Sequence, residues 1–123
     1  MALQAADRDF FFEHGYIHVG EVLTAEWLGA IRAEIDAIVA KARGVSDHDA
    51  VYDLEASHRA EAPRVRRIKT PHLHFPLFEK LVRDPALTDP VAVLIGEDIR
   101  LYGGKINIKA ANFGAPVEWH QDW

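Results

Sequence analysis

The sequence predicts an α+β chain with helices first and strands after, and three observations carry that prediction. Apolar residues recur at three- and four-residue spacing from Trp27 to Ala42, the period of a helix buried on one side. After Gly96 the period falls to two, and Lys105, Asn107 and Lys109 alternate with Ile106 and Ile108. At 123 residues, 49% hydrophobic and 27% charged, the chain is sized for a single domain over residues 1–123 with a core of its own.

A first helix is expected over Ala6 to His14, with Asp7 as N-cap, Phe10, Phe11 and Phe12 as its bulk and Gly15 as its stop. Tyr16 to Val19 then reads as a short strand. Thr24 is placed to cap the long helix, whose apolar side is Trp27, Leu28, Ile31, Ile35, Ile38, Val39 and Ala42 and whose end is Gly44. Glu26, Arg32, Glu34, Asp36 and Lys41 form its solvated side.

From Val45 to Thr70 polar residues dominate without a sustained period, which predicts a long loop. Its basic cluster of Arg59, Arg64, Arg66, Arg67 and Lys69 either meets an acidic ligand or answers Asp47, Asp49 and Asp53. Pro76 to Arg83 reads as a helix, and Asp89-Pro90 opens another that Gly96 closes. Ile99 and Leu101, then Lys105 to Lys109 after Gly103-Gly104, read as strands. The polar face of the second faces either solvent or the interior of a barrel that holds a charged ligand. A turn over Asn112 to Pro116 leads to Val117 to Trp123, read as a strand that ends without a cap or a polar tail.

Composition removes several classes of function. Lys and Arg number 14 against 19 Asp and Glu, a formal charge of -5, so the basic surface expected of a nucleic-acid or anionic-membrane partner is missing. The N-terminus lacks the basic segment of a signal peptide, and the run Val91 to Ile95 is far shorter than the ~20 apolar residues of a membrane span, so a cytoplasmic location is expected. With no cysteine, thiolate metal sites and a cysteine nucleophile are excluded. Any metal must use His, Asp or Glu.

His120-Gln121-Asp122 sets an imidazole and a carboxylate two residues apart, which on a strand places both on one face. That pair suits two adjacent positions of the His/carboxylate triad that holds non-haem Fe(II), with another His required as third ligand. On the same face Glu118 is placed to contact a co-substrate, to steady the His120 ring, or to meet solvent. Trp119, Gln121 and Trp123 point the other way, the tryptophans as packing. His72-Leu73-His74 is a rival metal pair bracketed by Pro71 and Pro76, with no carboxylate beside it on a convincing strand. His14 and His18 have the spacing of a helical pair, which Gly15 interrupts.

Phe12 to Ile17 near the start, Leu94 to Asp98 and Lys105 to Lys109 in the middle, and Pro116-Val117-Glu118-Trp119-His120-Gln121-Asp122-Trp123 at the end together resemble the phytanoyl-CoA dioxygenase family. These are Fe(II)- and 2-oxoglutarate-dependent oxygenases. The resemblance implies that His120 and Asp122 are metal ligands. It implies, too, that the chain holds the N-terminal helices and first strands of a double-stranded β-helix, or jelly roll, whose barrel it does not complete. It places Asn107 where the family hydrogen-bonds 2-oxoglutarate, with Lys105 beside it and Lys69 as a further co-substrate lysine. An amide suits that task because it donates to a carboxylate without adding a charge to desolvate.

In the family the second ligand histidine and the arginine that clamps 2-oxoglutarate come from strands further along, so a fragment is expected, with strand edges open to self-association. The implied partners are dioxygen and a small organic substrate that is hydroxylated. A noncatalytic binding or assembly module is the alternative. A cupin-like enzyme would show a glycine-rich motif with closely spaced histidines, which the sequence lacks.

Overall fold

The computed structural model describes residues 3–121. Helix α1 spans Ala5–His14. Its N-cap is Gln4, and Asp7 lies three residues on, where its carboxylate accepts from the Gln4 backbone N–H at 2.7 Å, so Asp7 serves the cap from inside the first turn. Gly15, at φ 80°, stops the helix in the left-handed region, as the sequence suggests. Phe10 and Phe12 stay exposed, Phe10 stacking edge-on with His14 and Tyr16. Tyr16 to Val19 do not form a strand.

Helix α2, Ala25–Lys41, begins where Thr24 Oγ1 accepts from the Trp27 N–H at 3.2 Å, and a 3-10 turn over Ala42–Gly44 ends it. Its apolar side meets a sheet: fully buried Ile38 packs with Ala42, Tyr52, Leu54, Val65, Ile68 and Phe78, flanked by Ile31, Ile35 and Val39.

That sheet lies partly within the segment expected to be a loop. Strands β1, Tyr52–Leu54, and β2, Val65–Lys69, pair antiparallel, and β3, Lys105–Asn107, adds to the far side of β2 in the order β1-β2-β3. A bulge between Asp53 and Leu54 hides the period: Asp53 faces Arg67 while Leu54 faces Val65, so Arg66 is the extra residue. The buried pair Val65 and Ile68 is therefore three apart, which no alternation template finds.

Polar side chains order the rest of this segment. Asp49 Oδ1 accepts from the N–H groups of Val51 and Tyr52, and His48 Nδ1 accepts from the Leu54 N–H. His58 Nδ1 accepts from the Arg64 N–H at 2.9 Å, so its Nε2 carries the proton donated to Val45 O at 3.0 Å.

Pro71–His74 form one helical turn, α3, followed by α4, Pro76–Val82, and α5, Pro85–Ile95. The last helix starts earlier than expected, because Asp84 caps it and Pro85 takes the first position, so Pro90 sits inside it. Thr70, which leads into α3, holds φ 42° and ψ 51°, a left-handed conformation unusual for a β-branched residue, and its N–H donates to Gly104 O at 3.0 Å. Gly104 gives room there, since a Cβ would come within 3.2 Å of His72 Nδ1 and push that ring aside.

Neither Ile99 to Leu101 nor Val117 to Gln121 is a strand, and the sheet among the described residues is three-stranded. The α+β class holds at this level. No helix among the described residues is long and apolar enough to cross a membrane.

Candidate functional site

The antiparallel register assembles one polar face. Directly paired residues share a face of a sheet, and the pairs here are Asp53 with Arg67, Arg67 with Asn107, and Lys69 with Lys105. The three residues singled out for co-substrate binding, Lys69, Lys105 and Asn107, are thereby brought together, although Lys69 lies on a different strand from the other two. Ile68 and Ile106 pair on the opposite face, in the apolar cluster that includes Ile38 of α2.

Arg67 and Asp53 complete this face; of the two readings of the basic cluster, the one in which it answers the preceding carboxylates holds for Arg67 and Lys69, through Asp53. Arg67 Nη1 lies 3.4 Å from Asp53 Oδ2, and Lys69 Nζ lies 3.2 Å from Asp53 Oδ1, so one carboxylate bridges two cations. Arg67 Nε donates to Asn107 Oδ1 at 3.1 Å. Three cations face a single carboxylate. Like charges placed directly opposite, as Lys69 and Lys105 are, destabilise a sheet, and an anion between them reverses that effect. Period-two spacing of Arg67 and Lys69 was the signal for a shared face, in a strand too short to stand out from the polar segment around it.

His120 is exposed, and its Nδ1 lies 2.7 Å from Glu118 O. A carbonyl oxygen only accepts, so Nδ1 is the donor in this contact. The backbone carbonyl of Glu118, two residues back, makes this contact with the ring. Asp122, the other expected ligand, lies outside the described residues, as does Trp123. Trp119 is fully exposed and does not pack in a core, because residues 117–121 are not paired into the sheet that would cover it.

The approach to His120 is fixed further back. Arg64 lies 3.5 Å over the Phe113 ring, Ala115 N donates to Glu55 Oε1 at 3.2 Å, and Lys109 Nζ donates to Ala115 O. Glu55 is the buried charged residue of the core region at 9% exposure, so the turn before Pro116 is tied to the end of β1.

The rival pair falls on α3, where His72 is half-buried and His74 exposed, and no group of three potential metal ligands forms among the described residues. His14 stacks on Phe10, apart from the exposed His18.

Comparison with known proteins agrees with the sequence pattern. The phytanoyl-CoA dioxygenase (PhyH) family profile matches residues 11–123. A probable alpha-ketoglutarate-dependent hypophosphite dioxygenase of Stutzerimonas stutzeri is 34% identical over 113 residues, covering 92% of this chain and 39% of that protein. Ectoine dioxygenases of Bordetella bronchiseptica and Streptomyces coelicolor are 25% and 22% identical, over 99% and 98% of this chain and 38% and 37% of their own lengths. The chain thus spans less than two fifths of these curated relatives. No solved structure matches it. A match over nearly the whole sequence, ending in the Glu118 to Trp123 stretch, means that the chain belongs to the phytanoyl-CoA dioxygenase family.

Proposed function

We propose that this chain is the N-terminal part of a 2-oxoglutarate-dependent dioxygenase that hydroxylates a small substrate. The observation that supports this best is the polar sheet face. Lys69 and Lys105 stand opposite each other, with Arg67 and Asn107 paired beside them, an arrangement suited to a small dianion. In this reading the dianion is 2-oxoglutarate, which family membership and the similarity to a probable alpha-ketoglutarate-dependent dioxygenase support.

In this reading Asn107 donates its amide hydrogens to a carboxylate of 2-oxoglutarate, and Lys105 and Lys69 neutralise its charge. His120, through Nε2, and Asp122 hold Fe(II) together with a third ligand. The bound metal, with 2-oxoglutarate and dioxygen, supplies the oxidising power for the reaction. The chain's own residues bind and orient the reactants. The His120 Nδ1 contact with Glu118 O fits this role, since a ligand histidine is commonly steered by a hydrogen bond from its other nitrogen. An organic substrate with an oxidisable C–H bond is the reading from family resemblance, and the relatives named for ectoine and hypophosphite point to small molecules generally.

The test is an anaerobic Fe(II) titration of the chain with and without 2-oxoglutarate. Weak binding that is lost in His120→Ala and Asp122→Ala, kept in His72→Ala, and tightened by 2-oxoglutarate is expected. Iron binding unchanged by His120→Ala would overturn the assignment.

A further inference from the structure

Among the residues of the polar face, Arg67 has a geometry that goes beyond contributing charge. Its guanidinium is held at two points, by Asp53 Oδ2 on β1 through Nη1 and by Asn107 Oδ1 on β3 through Nε. Both partners are its direct cross-strand neighbours, so the register itself fixes the plane of the group. A guanidinium has five N–H donors and no acceptor, which means that the atom of Asn107 facing Arg67 must be the carboxamide oxygen. Of the two ends of the Asn107 amide, the oxygen is thereby committed and the two N–H donors are turned to the other side.

We infer that Arg67 is a positioning residue that sets the flip of the Asn107 carboxamide, so that the face offers N–H donors, and not the amide oxygen, to an anionic ligand. The inference rests on the co-substrate reading of Asn107. An amide free to flip would half the time present an oxygen to a carboxylate, which repels it; a fixed amide removes that state before the ligand arrives. Asp53, paired with Nη1, holds the other end of the guanidinium, so that the Arg67 side chain lies across the sheet.

Arg67→Lys separates this role from simple charge. The substitution retains a cation for Asp53 but replaces the planar fork with a single rotatable ammonium. In an isotope-labelled chain, nuclear magnetic relaxation of the Asn107 side-chain NH2 reports how firmly the amide is held, with or without ligand. The expected result is an ordered amide in the unsubstituted chain and a mobile one in Arg67→Lys, with little change in the thermal midpoint. Affinity for 2-oxoglutarate should fall about tenfold with it, the scale of one net hydrogen bond. Arg67→Met, which keeps the stem and no donor, should behave alike.

An Asn107 amide equally ordered in Arg67→Lys and Arg67→Met would overturn the inference. A loss of order strictly proportional to a loss of fold stability would overturn it as well. If Asn107→Ala binds 2-oxoglutarate as tightly as the unsubstituted chain, the co-substrate reading fails instead, and the relaxation data still decide whether Arg67 holds the amide.

Discussion

Trp27 Nε1 donates to Asp84 Oδ2 at 3.0 Å, joining residues 57 positions apart, while Asp84 Oδ1 accepts from the Ala86 N–H at 2.9 Å. One carboxylate therefore both starts α5 and fastens it to the first turn of α2. Lys80, 5.5 Å above the Trp27 ring, closes the junction from α4. Asp84→Ala should lose a helix cap and leave the half-buried indole N–H without its acceptor, a combined cost of about 2 kcal/mol. Asp84→Asn, which can still accept, should cost less than half of that. Urea denaturation of the two variants checks the order.

The Tyr52 hydroxyl donates to Ile38 O at 2.8 Å inside the core. Burial pushes its phenol above the ordinary value near 10, and the Asp49 carboxylate adds to the shift. A raised value means that the folded chain keeps a proton the unfolded chain gives up. The resulting stabilisation is complete below about pH 10 and is lost as pH rises through the folded value. Tyr52→Phe should lower stability at neutral pH by about 1 kcal/mol, the net worth of a typical hydrogen bond. It should also flatten the alkaline decline, which thermal melts across the alkaline range would show. An equally steep decline in the variant would assign the loss to other groups.

Asp53 restrains both Arg67 and Lys69. Since these pairs are partly exposed, Asp53→Asn should change stability by no more than about 1 kcal/mol. Its effect on anions should be larger: released cations should bind 2-oxoglutarate several-fold more tightly at low salt, with the gain shrinking as salt screens the face. Titrations at low and high ionic strength measure both. Weaker binding would show that the carboxylate orients the face more than it neutralises it.

Legibility from sequence followed the strength of local signals. Thr24, the apolar side around Ile38 and the Gly15 stop gave α2 and the end of α1 directly, because caps and helical period are written within a few residues. Strands β1 and β2 were hidden. They are short, charged residues make up half of them, and the bulge at Asp53 and Leu54 shifts the phase between them. Asp84 was missed as a cap because Pro90 suggested a later start. For the candidate site, Asn107 and Lys105 were readable as neighbours on one strand. Their meeting with Lys69 and Arg67 depends on a pairing between distant segments, which spacing alone does not encode.

The bond from Ala115 N to Glu55 Oε1 makes the arm toward His120 a dependent of the segment that looked least structured. Glu55 stands at the head of an excursion whose other end is Arg64, and both of those residues grip the arm, one through its carboxylate and one through the Phe113 ring. A change that moves Glu55 or Arg64 is thus transmitted to Ala115, 60 positions after Glu55, and through it to the arm that leads to His120. Variation that would pass unnoticed in an ordinary surface excursion is here coupled to the segment that carries His120, so this stretch should tolerate change in its tip, around Ala60 and Glu61, and resist it at its two roots.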